Sequence, residues 1–472
     1  MRDIVDISIV GAGPAGATAA LVVGQTECRS LLIDEQRQAG GQVWRAKDRS
    51  ILSAPATPES RSGDNLRERL AASGVSQMTD TRVWQIERQG EHWVIHTLRN
   101  GTAGRLYSRA VILATGAREE AQPVRGWTTP GVIGLAGATA LFKQSIRLPG
   151  RASVVAGTGP LVFFVASEIR RLGGTVAAVV TPNTRADWLA RLPSMMARPD
   201  LLWRGGRWVA DLMLASVPIY WGHAVKSVSG DDRVIGVTLC RLATDGTPLP
   251  GDIGIAADSV CLGGGLAPSI EAAQLAGVAV RYRPDLGGWV SEAESDGSTA
   301  REGLFLAGDS CGIRGAVAAE LHGQIVARTA LRHIGQASAS DPALERAYRR
   351  ASRFGEAMTA LSVLRADPIG LATPDTVVCR CESLTRRAIE DEIESGAVSS
   401  NAVKSGQRAG MGPCGGKYCQ SSVARLIALQ ENRALSEIAP PTPRPPIRPV
   451  PVSALAGDFD YGDLPMPKPA PL

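Results

Sequence analysis

The chain has 472 residues, which at about 150 residues per domain predicts roughly three folded units. Hydrophobic residues make up 44% and charged residues 21%, as in ordinary globular proteins, while 52 glycines and only 4% aromatics favour small-residue α/β packing over an all-β sandwich. Lys plus Arg is 51 and Asp plus Glu is 46; the resulting +5 is too dilute for a nucleic-acid footprint or a polybasic membrane patch.

Ile7 to Thr26 carries no charge over 20 residues, long enough for a membrane span, but it holds four glycines and a proline and follows Asp3 and Asp6. It is read instead as a buried strand, a turn and a helix, with no integral membrane segment and no export signal, so the expected compartment is the cytoplasm. DISIV, GAGPAG, ATAALVVGQ and SLLID then give strand, Gly-rich turn, helix and strand, the βαβ opening of a dinucleotide-binding fold. Gly11 allows the tight turn, Gly13 lets the backbone approach a pyrophosphate, and Gly16 permits close helix–sheet packing. The helix begins at Pro14 and Ala15 and offers its free N–H groups to phosphates. Asp34, at the end of the second strand, is placed to accept from a ribose hydroxyl, with Glu35 beside it as a substitute.

TRVWQIE, which contains Val83, and HWVIHTL suit an antiparallel insertion. AVILATGA returns to the sheet. A second Gly-rich turn, Gly157 to Val162, follows the strand SVV and looks disabled. Val162 replaces the third glycine, Phe164 stands where an acid is frequent, and Thr181 ends the next strand, with Arg185 as the nearest cation. A valine at the packing glycine pushes helix from strand and works against nucleotide approach. After Arg301 come a strand, a loop and a long helix. Asp341-Pro342 signals the start of another helix, and Leu344, Tyr348, Ala351, Met358 and Leu361 give it one apolar face.

Eight cysteines distribute unevenly. Cys28, Cys240, Cys261 and Cys311 are scattered and read as apolar filler, with Cys311 a neutral thiol near the late GD motif. Cys379 and Cys381 form CxC; after 32 intervening residues Cys414 and Cys419 form Cx4C. Four thiolates fit a tetrahedral zinc or an iron–sulfur cluster equally by count. Ser383 is the expected N-cap of the acid-rich helix between the pairs. No CxxC precedes this cluster, which excludes a thioredoxin-reductase-type dithiol. The five histidines (His92, His96, His223, His322, His333) are scattered; His92 and His96 read as partly exposed sheet residues, and no catalytic acid or base is nominated. From Pro440 onward, 11 of the 30 prolines fall in 33 residues, a segment expected to be extended.

Four motifs in order, GAGPAG, GGQ (Gly40, Gly41, Gln42), ATGA (Ala114, Thr115, Gly116, Ala117) and AGD (Gly308, Asp309), resemble the two-dinucleotide-binding-domain flavoproteins. The resemblance implies FAD, an ATG turn closing over the nucleotide, a GD aspartate near the ribityl and pyrophosphate region, and Val83 among the contacts. The cysteine spacing is similar to the bacterioferritin-associated-ferredoxin-like 2Fe–2S domain, with Cx4C as in versions fused to amine-oxidising flavoproteins. With TTPGV at Thr128 to Val132 and RPPIRPVPVSALA near the end, nearly the whole chain resembles one family. Its members are the flavin and cluster subunits of opine oxidase and hydrogen cyanide synthase and the alpha subunits of bacterial proline and hydroxyproline dehydrogenases.

That resemblance implies an α/β, doubly wound FAD domain with an inserted second Rossmann-like domain and a small helical C-terminal 2Fe–2S domain. The expected division is 1–118 and 286–336 for the FAD domain, 119–285 for the central domain, 337–375 for a connecting helical segment, 376–430 for the cluster domain and 431–472 for a Pro-rich tail. It further implies a separate amino-acid-oxidase-like FAD subunit that oxidises a C–N bond, a downstream electron acceptor and, in some relatives, FMN at the subunit interface. The tail is expected to dock on that partner. The alternative is an NAD(P)H-dependent reductase that feeds its own cluster.

Overall fold

The structure, a computed structural model, describes residues 3–48, 50–51, 53–363 and 368–456. Strand β1 (Ile4–Val10), helix α1 (Pro14–Val23) and strand β2 (Ser30–Ile33) form the opening unit, followed by α2 (Pro58–Ala72), β3 (Ser76–Met78), β4 (Thr81–Gln89), β5 (His92–Arg99) and β6 (Thr102–Leu113). The first sheet has the order β3-β2-β1-β6-β5-β4, with strand Leu304–Leu306 joined to β6. β1, β2, β3 and Leu304–Leu306 are parallel to their neighbours, while β4 and β5 make an antiparallel meander with the first half of β6.

Alternation places successive residues on opposite faces. Ile7, Ile9, Ala110 and Ile112 pack under α1 and the long helix Ala316–His333, while Val10, Val111 and Leu113 face a second apolar layer. Fully burying each such Ile or Leu stabilises the fold by about 2 kcal/mol. That second layer also contains Ala272, Ala273, Ala276 and Val278, so the chain is back in the first domain's core ahead of the boundary expected at 285.

The central domain is a five-stranded parallel sheet in the order Ile219–Trp221, Thr175–Thr181, Ala152–Gly157, Ser259–Gly263, Val132–Ile133. Helix Leu161–Arg171 buries Val162, Val165, Ala166 and Ile169 against it. Helix Pro342–Ser362 starts as the sequence signals, with Asp341 accepting from the N–H groups of Ala343 and Leu344. The C-terminal helices Arg386–Glu394, Ser400–Gln407 and Gln420–Gln430 enclose their own core, in which Ile270 and Trp289 of the larger body also take part.

Two local expectations are corrected. Thr385, not Ser383, caps helix Arg386–Glu394 by accepting from Ala388 N; Ser383 adopts a left-handed turn two residues earlier. His96 is buried, with Nε2 2.8 Å from Glu87 Oε1, because the meander folds over it. In the Pro-rich segment, residues 440–451 run along the chain's own domains. Residues 457–472, the end of the expected tail, lie outside the described residues. Among the described residues no helix is long and apolar enough to cross a membrane.

Candidate dinucleotide and cluster sites

The turn after β1 is shaped by close backbone approach. A Cβ on Gly16 would stand 1.8 Å from Gly11 O, so only glycine lets α1 start there. Gly13 faces open space, its nearest neighbour being Gly41 of the GGQ loop, 3.9 Å from where its Cβ would be. Helix α1 has no side-chain cap and no acid in its first turn, which leaves its first N–H groups and its positive dipole end for phosphate oxygens. This cradle, a free helix start against two glycine backbones, fits the pyrophosphate of a dinucleotide.

Asp34 turns back onto that cradle: Oδ2 accepts from Ala12 N at 2.5 Å and Oδ1 from Gln36 N at 2.6 Å. Burial raises its pKa against those two hydrogen bonds. Glu35 points outward and pairs with Arg448. On the far side, Thr115 donates to Ser269 O at 3.0 Å, fixing the ATG turn. Asp309 accepts from Arg314 N at 2.8 Å and Gly315 N at 3.2 Å, just before helix Ala316–His333, and burial raises its pKa. Gln42 reaches Arg45.

Sequence reasoning does not single out His322 for this site, yet its Nδ1 accepts from Gly308 N at 3.1 Å and its ring stacks on Tyr348. Burial pushes its pKa down to about 4, so it stays neutral and fixes the GD turn. Cys311 lies alongside, its thiol raised to about 11 by burial, as a neutral thiol should be.

The cysteines form two touching pairs. Cys379, ending strand Val377–Cys379, is hydrogen-bonded to Cys419, and Cys381 to Cys414, all four as free thiols. The hydrogen bond from Cys419, with further N–H groups of Gly410, Glu382 and Cys381, lowers Cys379 to about 6. Backbone N–H groups turned on the sulfurs of Cys379 and Cys381 suit thiolates in a metal centre, while among the described residues the thiols stand as two pairs rather than as one gathered ligand set.

The two sites are tied together by side chains the sequence does not flag. Arg118, directly after ATGA, donates from Nε to Lys417 O at 3.0 Å and from Nη1 to Pro268 O at 2.8 Å, and pairs with Glu271. Lys417 in turn donates to Cys414 O at 3.1 Å. Trp127 donates to Val377 O and Ser421 to Glu120.

The central crevice is filled from within. Gly159 N donates to Asn183 Oδ1 at 3.1 Å, Asn183 Nδ2 donates to Leu361 O at 2.8 Å, and Thr158 Oγ1 donates to Ser362 O at 3.2 Å. Gly159 has φ +70, and a Cβ there would stand 2.2 Å from Ser362 Oγ. The end of helix Pro342–Ser362 therefore sits on the Gly-rich turn where a nucleotide would be bound.

Residues 5–323 match the pyridine nucleotide-disulphide oxidoreductase family, and residues 377–428 match the BFD-like 2Fe–2S binding domain. The chain belongs to the pyridine nucleotide-disulphide oxidoreductase family. This oxidoreductase is 31% identical to the A subunit of opine oxidase from Rhizobium meliloti over 97% of this chain and 88% of that one. It is 30% identical to the HcnB subunit of hydrogen cyanide synthase from Pseudomonas protegens over 94% of this chain and 96% of that one. The crystal structure of L-proline dehydrogenase from P. horikoshii shares its fold, with a TM-score of 0.72 at 21% identity over 97% of this chain and 80% of that one. The oxidoreductase thus carries an FAD-binding domain and a 2Fe–2S domain; the FMN implied by the resemblance finds no support in these matches.

Proposed function

We propose that this oxidoreductase is the FAD and 2Fe–2S subunit of a heteromeric dehydrogenase or oxidase. The reaction is oxidation of the C–N bond of an amino acid, imino acid or opine in a separate flavoprotein subunit of the amino-acid-oxidase type, and this chain passes the electrons on to an acceptor. Its compartment is the cytoplasm. FAD is held by Gly11, Gly13, Pro14, Ala15, Gly16, Asp34, Glu35, Gly41, Gln42, Val83, Ala114, Thr115, Gly116, Gly308 and Asp309, and the cluster by Cys379, Cys381, Cys414 and Cys419. Bound FAD supplies two-electron chemistry that can be released one electron at a time, which is what a one-electron cluster accepts.

The observation that carries this reading is Ser362 on Gly159. With the second crevice occupied by the chain's own helix, the route by which NAD(P)H reaches flavin in related reductases is filled. That weighs against a self-sufficient NAD(P)H-dependent reductase and in favour of electrons delivered by a partner. The relatives are themselves subunits, by name. Arg118 supports the outlet by joining the flavin-side turn to the cluster loop.

The test is anaerobic. NADH and NADPH added to the isolated chain should leave the flavin absorbance unchanged, while the partner purified with it from the native host, given substrate, should bleach it. Bleaching by NADH or NADPH alone at the turnover rate overturns the reading.

A further inference from the structure

The acid at the end of the second strand marks the adenosine end of a dinucleotide site. In this chain residues 447–449 lie beside that end. Ile447 N donates to Trp84 O at 3.0 Å, and Arg82 Nη1 donates to Pro449 O at 2.7 Å, so the segment crosses β4 on both sides of Val83. Between these two contacts, Arg448 Nη2 lies 3.2 Å from Glu35 Oε1. The Ile447 side chain packs onto the apolar layer that holds Ile33, as do Met78 and Val83. Upstream, the same segment is moored to the cluster domain: Ser400 donates to Ala439 O at 2.8 Å, Asn401 Oδ1 accepts from Thr442 N at 3.0 Å, and Lys404 reaches Thr442 O. Pro443, Pro445 and Pro446 each fix φ, so the span between the two moorings has few alternatives to explore.

We propose that residues 445–451 are a strap over the adenosine half of the FAD site, and that Arg448 is a positioning residue that orients Glu35 and offsets its charge beside a diphosphate ligand. This rests on the FAD reading given under Proposed function. The strap must lift for FAD to enter or leave, so it slows both steps, and its ion pair makes release faster at high salt.

The test uses the full-length chain, with Arg448→Ala, Arg448→Lys and Ile447→Asp. FAD and ADP dissociation constants are measured on deflavinated protein, with FMN as the probe of the other half and with iron content and melting temperature as controls on folding. Both side chains of the pair are partly exposed, at 40% and 41%, so Arg448→Ala should weaken FAD and ADP by only about threefold, with Arg448→Lys restoring most of it. Ile447→Asp should weaken both by about tenfold or more. FMN affinity and iron content should not move. Unchanged FAD and ADP affinity in the Arg448→Ala and Ile447→Asp variants, in a wild type that binds FAD, overturns the strap alone; so does an equal loss for FMN. A wild type that binds no FAD overturns the strap together with the reading beneath it.

Discussion

Arg118 Nε donates to the backbone carbonyl of Lys417 at 3.0 Å, two residues after Gly116 of the ATG turn and three residues after Cys414. One guanidinium therefore joins the flavin-side turn to the cluster loop. Both Arg118 and its partner Glu271 are 11% exposed. Arg118→Met leaves that carboxylate buried without its cation and should destabilise the chain by about 3–5 kcal/mol. Replacing both, as Arg118→Met with Glu271→Leu, should recover most of the loss. A thermal melt of the three proteins checks this; a double variant no better than the single one contradicts it.

Asn183 holds the crevice closed from two sides, accepting from Gly159 and donating to Leu361. Asn183→Ala strands a buried N–H and a buried C=O, each at about 1–3 kcal/mol. The variant should melt earlier, and NADPH should still not reduce it, because Ser362 remains on the turn. Measurable NADPH reduction in Asn183→Ala would show that the crevice is gated by this one side chain.

Cys381→Ser should remove iron and acid-labile sulfide while flavin per chain stays unchanged. The two cores on either side of the first sheet contain no residue of the cluster helices, so the flavin domain does not depend on the metal centre for its packing. Iron, sulfide and flavin assays on the same anaerobic preparation decide it. Parallel loss of flavin and iron runs against the expectation.

Glu119 gives a pH dependence whose sign is set by its burial. Desolvation raises its carboxyl from 4.5 to about 7, against three hydrogen bonds from Ala136, Leu135 and Gly137. A carboxyl with a folded pKa above its unfolded one holds its proton more tightly when folded. Its contribution is fully present below about pH 4.5 and is lost as pH rises through about 7. The melting temperature of the wild type should therefore fall relative to Glu119→Gln between about pH 4.5 and 7, by the amount set by that shift. Parallel profiles for the two proteins would refute this assignment.

Much of the architecture is legible in the sequence because it is local. The strand–turn–helix from Ile4 to Val23 is written in Gly11, Pro14 and Gly16, and the cysteine spacing alone announces a thiolate centre. The features on which the proposed electron route rests are not legible there, since they join distant parts of the chain. Thr158 and Ser362 meet across a separation of 204 residues, and Arg448 and Glu35 across 413. Val162 gives a partial signal: a side chain at the packing glycine already argues against a nucleotide, but nothing in the sequence says that Leu361 and Ser362 take its place. The path of residues 440–451 over the chain's own domains is illegible for a similar reason, because a run of prolines carries no record of what it lies against.

The filled crevice has one more consequence. On the proposed function, the second fold serves only as scaffold and the flavoprotein is insulated from the cell's nicotinamide pool, however reduced that pool becomes. Its output would then follow the supply of one nutrient rather than general metabolic state, and idle molecules would draw no current.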